Sequence, residues 1–185
     1  MRLNARFKPP HRSFRAAAGF TLIEILVVLV ILGIVSAVIV PQIGSRDDLK
    51  TSSAARALMA DLMYAQNLAI TQQKKIYVKF DSAGQTYKVL SLFSPETIVT
   101  HPVEMAPFVV KLGASASSSQ LRTVTIDTVS FDAETTIAFD EMGAPYACTA
   151  AGATSTMTSG SIRLKCGTST LTVTVEPFTG ELKVN

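Results

Sequence analysis

Apolar positions fall into three regimes along the chain. From Gly19-Phe20-Thr21-Leu22-Ile23-Glu24 to Val40 they are nearly continuous, and Glu24 is the one charge among them. About 21 such residues make a helix long enough to cross a hydrocarbon core about 30 Å thick. Beyond Val40 the period becomes helical. Ala54, Leu58, Leu62, Ala65 and Ala69 form a stripe, and Asp47, Asp48, Lys50, Arg56 and Asp61 fall largely off it. The pattern predicts one helix from about Phe20 to Gln73, bent at Pro41 and weak at Gly44. Residues 20–40 are its membrane or filament-core half, and residues 41–73 an amphipathic stem. Lys74 and Lys75 follow, where a helix end favours cations.

The third regime, residues 74–185, alternates. Ile76, Val78 and Phe80 interleave with Tyr77 and Lys79, Asp81 to Gly84 turns the chain, and Tyr87 to Leu90 returns, a hairpin signal. Further strands are predicted at Arg122–Ile126, Thr135–Phe139, Ser161–Lys165, Thr170–Val175 and Glu181–Val184, with Pro177 to Gly180 turning the last two. The expected fold class is α+β, a long N-terminal helix packed on antiparallel sheet. Ser94 to Gln120, with Pro95, Pro102, Pro107 and the run Ser115 to Ser119, reads as a surface loop at least at its end, and Ala144 to Gly160 as a second, small-residue loop. Such loops serve partner contacts or are tolerated insertions.

Charge places the two ends of the chain. Arg2, Arg6, Lys8, Arg12 and Arg15 precede the apolar run with no acid among them, so the N-terminus is expected in the cytoplasm and the β-rich domain outside. Formal net charge is +3, but without those five cations the remainder carries −2. The basic balance therefore argues nothing about nucleic acid.

A carboxylate inside a membrane-length segment is costly. An ordinary secretory signal does not explain Glu24, and neither does a generic anchor. The segment Gly19-Phe20-Thr21-Leu22-Ile23-Glu24-Ile25-Leu26-Val27-Val28 resembles the class III signal of type IV pilins and type II secretion pseudopilins. The resemblance implies that residues 1–19 are a leader, that a prepilin peptidase cuts between Gly19 and Phe20, and that Phe20 is N-methylated. It also implies that Pro41 sits where pilins commonly have proline. Glu24 would then pair with the Phe20 amine of a neighbouring subunit, rather than merely snorkel to the interface.

The later stretches Ala54 to Ile70, Ile137 to Gly143 and Val173 to Leu182 resemble the GspH/FimT type of minor pseudopilin and minor pilin, with the Ser94–Gln120 insert as the departure. The function implied is a minor pseudopilin that assembles into or caps a type II secretion pseudopilus. The chain would be single-pass in the bacterial inner membrane, with its globular domain in the periplasm. The implied partners are other (pseudo)pilin subunits, the prepilin peptidase and the membrane. The alternative is a FimT-like type IV minor pilin in pilus assembly or DNA uptake.

Cys148 and Cys166 are the only cysteines. An even count outside the cytoplasm favours a disulfide closing the Ala144–Gly160 loop, worth about 3 kcal/mol on the loop-entropy model. Two free buried thiols are the alternative. No metal or other cofactor is expected, since the cysteines lack companions. A hydrolytic triad would have to use His101, in an apparent loop, so no enzyme is expected. Lys74, Lys75, Lys79 and Lys88 group around the first hairpin with Tyr77, Phe80 and Tyr87. They are a candidate DNA-binding cluster or a solvated face, and nucleic acid is the less favoured partner.

Overall fold

A computed structural model describes residues 19–42 and 46–185. The basic leader and Gly44 lie outside the described residues. The chain divides into two units, the first ending at Gly44 and the second starting at Ser45.

In the first unit α1 spans Leu22–Gln42. Its start has a local cause. The Glu24 N–H donates to Thr21 Oγ1 at 3.3 Å, and the Thr21 N–H donates to Glu24 Oε2 at 3.4 Å. This reciprocal pair satisfies two backbone donors at the helix start, a capping box. Pro41 falls in the last turn of α1. Among the described residues no helix is long and apolar enough to cross a membrane. The described side chains of α1 run from Leu22 to Ala37, about 24 Å of rise, whereas the expected span extends to Val40.

The second unit opens with α2, Asp47–Gln72. The expected stripe is its buried face: Ala54, Leu58, Leu62, Ala65 and Ala69, joined by Thr51 and Ala55. Thr51 is buried because its hydroxyl donates to the Asp47 carbonyl at 2.8 Å. The helix stops at Gln73, which adopts a left-handed conformation (φ 51°) and donates its N–H back to the Ile70 carbonyl.

Two antiparallel sheets pack against α2. The larger runs β3 (Thr97–Ile98), β2 (Thr86–Leu92), β1 (Ile76–Asp81), β6 (Thr136–Phe139), β7 (Pro145–Cys148), β8 (Thr154–Thr156), with β4 (Val109–Lys111) also on β2. The smaller runs β11 (Leu182–Val184), β10 (Ser169–Val175), β9 (Gly160–Cys166), β5 (Thr125–Phe131). α2 lies on β1 and β6 of one and on β9 and β10 of the other. Its alanines permit close approach, and Ile76, Val78, Phe131, Ile137, Ile162 and Val173 close the core from the sheets.

The helix expected as one is described as two elements, Leu22–Gln42 and Asp47–Gln72, and its expected weak point at Gly44 lies outside the described residues. Three expectations need correction. The strand expected at Arg122–Ile126 is Thr125–Phe131, because Val124 is held in a turn by its N–H bond to the Leu121 carbonyl. The Ser94–Gln120 stretch is no plain loop: β3 and β4 fold back along the free edge of β2 and pair with it. Likewise Ala144–Gly160 supplies β7 and β8, which extend the sheet beyond β6. Short edge strands carry too few residues for alternation to register, yet they satisfy backbone groups that an open edge would leave bare.

Candidate assembly surface

The residues expected at the processing site are the first described ones. Gly19 and Phe20 precede α1 and are exposed, and nothing lies within 4 Å of where a Gly19 side chain would begin. Among the described residues no packing requirement explains the glycine, which is compatible with an extended backbone there. From Phe20 through Ala37 every residue is exposed, Leu22 at 84%. A helix apolar all round needs cover from lipid or from other helices. Glu24 is exposed among these residues, and its cap to Thr21 uses one carboxylate oxygen. The cap was readable as Thr21-x-x-Glu24 but is masked in the sequence by the membrane-length run.

The hairpin lysines do not gather into one free cluster. Lys79 and Lys88 are cross-strand partners, and like charges so placed repel. Glu96, from the segment after β2, bridges both: one oxygen takes Lys79 at 2.6 Å and the other takes Lys88. These bonds hold the Glu96 carboxyl below its ordinary pKa. Lys75 donates to Thr154 Oγ1 at 3.0 Å and lies over the Tyr146 ring, and Lys79 also lies over Phe93. Lys74 is exposed. Of the aromatics expected beside them, Phe80 and Tyr87 face the core.

The cysteines do not bridge. Both thiols are free and buried. Cys148 ends β7 in the larger sheet and Cys166 ends β9 in the smaller, so the intervening chain is closed by strand pairing instead. The Cys166 thiol contacts Asp47 Oδ1 at 3.5 Å and Thr123 Oγ1 at 3.4 Å. Burial raises the Cys148 thiol pKa, which disfavours the nucleophilic thiolate. His101 is occupied in its own turn, where Nδ1 accepts the N–H groups of Val103 and Glu104, both at 3.2 Å.

Asp61, expected on the solvent side of α2, is half-buried. The Tyr87 hydroxyl donates to it at 2.5 Å beside an apolar cavity of about 130 Å³ lined by Leu58, Phe80 and Leu112. Gln66 was also missed from sequence. Its Nε2 donates to the Gly143 carbonyl at 2.8 Å and the Thr179 carbonyl at 3.1 Å, clamping two distant turns onto α2.

A long helix on antiparallel sheets, preceded by an exposed apolar helix with a processing-type start, defines the pilin-like class. The family described as Type II transport protein GspH matches residues 54–180, and the prokaryotic N-terminal methylation motif matches residues 14–40. The chain belongs to the GspH family. The type II secretion system core protein G of Pseudomonas aeruginosa is 65% identical over 34 residues, 18% of this chain. The chain thus covers only 24% of that relative's length. Among solved structures, the minor pseudopilin EpsH from the type 2 secretion system of Vibrio cholerae is similar over 74% of this chain and 96% of its own, at 11% identity and a TM-score of 0.49. The type IV minor pilin FimU of Pseudomonas aeruginosa is similar over 73% and 87%, at 15% identity and a TM-score of 0.46.

Proposed function

We propose that this chain is a minor pseudopilin of a type II secretion system, anchored in the inner membrane by its N-terminal helix and working by assembly. The observation that carries the reading is α1, whose described apolar surface is uncovered in the isolated chain. Lipid covers it before assembly, and like helices of neighbouring subunits cover it in a pseudopilus. Family membership and the methylation motif support the same reading. Cleavage between Gly19 and Phe20 creates a cationic amine one turn from Glu24. The Thr21 cap holds the Glu24 side chain at the helix start, and its other oxygen is available to a neighbour's Phe20 amine. In a dry helix bundle that pairing offsets the desolvation of both charges and fixes the axial offset between subunits.

Two measurements test this. The mass of the mature N-terminus should correspond to methylated Phe20. Glu24→Gln keeps a capping side chain but loses the charge, so insertion and processing should persist while incorporation into filaments fails. Normal incorporation of that variant would sink the ion-pair role.

One observation favours a DNA-binding type IV minor pilin: Lys75 over Tyr146 and Lys79 over Phe93 place cations and rings on the outer face of the larger sheet. Against it, Glu96 already neutralises Lys79 and Lys88. Absence of low-salt DNA binding by the wild-type chain, and its appearance in Glu96→Gln, would mark the lysines as a paired surface. Salt-dependent binding by the wild type, lost on neutralising them, would favour the second reading.

A further inference from the structure

The cavity beside Asp61, about 130 Å³ in volume, lies between α2 and both sheets. Every side chain that lines it is apolar except those of Asp61 and Tyr87. Ala57 and Asp61 stand one helical turn apart on α2 and mark its opening. Ala57 is exposed and Asp61 half-buried, although both line the space. Val110, Leu112 and Leu121, from the chain between β2 and β5, line it as well.

The carboxylate at this mouth has no cation to match it. The Tyr87 hydroxyl occupies Oδ2 at 2.5 Å, and among the described residues Oδ1 accepts no hydrogen bond. Nor does any described lysine or arginine form an ion pair with Asp61. The ionisable neighbours whose charge acts on it are His101 and Glu104. Glu104 adds negative charge, and His101, whose Nδ1 accepts two N–H groups, is a neutral ring in this arrangement. Cations close in sequence are turned elsewhere. Lys111 is exposed between the lining Val110 and Leu112, on the opposite face. Arg122 Nε donates to the Ala116 carbonyl at 3.3 Å, and Arg56 lines a separate groove on α2.

Cavity and carboxylate together fit an apolar body with one cationic head. An apolar cavity of about 150 Å³ stays dry and takes up benzene, so this one has room for about four methylenes. A single open oxygen suits the point charge of an ammonium, whereas the fork of a guanidinium bonds best to both oxygens. A free amine of that size makes too few contacts to bind tightly alone. A lysine on a docked chain brings stem and head together, and the residues around it supply the remaining contacts.

We propose that this cavity receives a lysine side chain from a different polypeptide, its stem among Leu58, Phe80 and Leu112 and its ammonium on Asp61 Oδ1. The new cation offsets the desolvation that Asp61 bears in the isolated chain. This contact is independent of the secretion reading, since it requires no particular assembly.

The test starts with the full chain in lipid nanodiscs, its leucine methyls labelled for NMR. It is titrated with n-butylammonium and with 1-butanol, a neutral probe of the same chain length. The Leu58, Leu112 and Leu164 methyl signals should shift at about ten-fold lower concentration of the ammonium than of the alcohol. Asp61→Asn should erase that preference, and Ala57→Leu, at the exposed mouth position, should abolish both responses. In the membranes of its own cell, a carbodiimide, which joins a carboxylate to an amine in direct contact, should link Asp61 to a lysine of a different polypeptide. Ala57→Leu should lose that adduct. Silence to both probes, equal response to them, or a preference that survives Asp61→Asn overturns the cation site. Butylammonium binding without a polypeptide adduct overturns the lysine partner. So does an adduct to an amine lipid or to a second copy of this chain, or one that Ala57→Leu leaves intact.

Discussion

The Tyr87 hydroxyl donates a 2.5 Å hydrogen bond to the Asp61 carboxylate, and so ties α2 to β2 at the rim of an apolar cavity. Burial raises the Asp61 pKa above its ordinary 3.8, and the bond from Tyr87 only partly offsets this. The buried phenol itself is pushed well above the ordinary tyrosine value and stays protonated. The pair is a polar link in an otherwise apolar contact, and it is sensitive to either partner.

Tyr87→Phe should therefore cost about 1–3 kcal/mol, because it leaves a half-buried carboxylate without its donor. Urea unfolding at neutral pH measures it. The pH dependence has a definite sign. With its folded pKa raised, Asp61 binds more protons folded than unfolded just above the ordinary value, so its contribution to stability declines as pH rises through that window. Asp61→Asn should lose less stability than the wild type as pH rises above the ordinary carboxylate value. Parallel curves for the two proteins would contradict this.

Asp132 behaves in the opposite way. Its carboxylate accepts the N–H and hydroxyl of Thr158, both at 2.7 Å, and the N–H and hydroxyl of Ser159 at 2.9 and 3.1 Å. These bonds lower its pKa from 3.8 and pin the turn after β5 to the start of β9. A lowered pKa gives stability that is present above the ordinary value and lost as pH falls through the folded one. Asp132→Asn tolerates the positive φ at this position but lacks the charge. Its melting temperature should fall less steeply in acid than that of the wild type, in melts taken across a pH series.

The two thiols should be silent in the native protein. A thiol-specific reagent should label neither Cys148 nor Cys166 without denaturant, and should label both once the chain unfolds, with no reductant needed. Labelling that requires a reductant would reveal a bridge in place of two buried thiols.

Two glycines should separate folding from processing. Gly180 has φ 69°, and an added carbon would stand 2.6 Å from Gln66 Nε2. Gly180→Ala should cost about 1–3 kcal/mol and release the turn from Gln66, read by urea unfolding. Gly19→Ala meets nothing within 4 Å, so folding should be unchanged. On the proposed function only cleavage suffers, seen as retention of the leader by mass.

Much of this was legible in the chain. The stripe Ala54-Leu58-Leu62-Ala65-Ala69 named the buried face of α2 because helical period is a local property. Likewise the Ile76–Leu90 hairpin followed from alternation and a turn, and observed β9 and β10 lie within a residue of expectation. What failed was either too short or non-local. Strands β3, β4, β7 and β8 are two to four residues long, too short for alternation to register, and β4 pairs with β2 across more than twenty residues. Asp61 looked like a surface charge until β2 brought Tyr87 against it, and Lys79 and Lys88 looked free until Glu96 arrived from a segment read as loop.

The sequence by itself determined where the apolar helix lies, where the methylation motif falls, and which face of α2 is buried, since spacing along one segment suffices for each. Only the tertiary structure decided that the cysteines stand in different sheets, that Lys79 and Lys88 share Glu96, and that Met142 and Phe178 share one projection on Gln66. Those outcomes depend on which residues meet across gaps as long as |i−j| = 113, and such meetings are set by sheet order and packing, which no local pattern encodes.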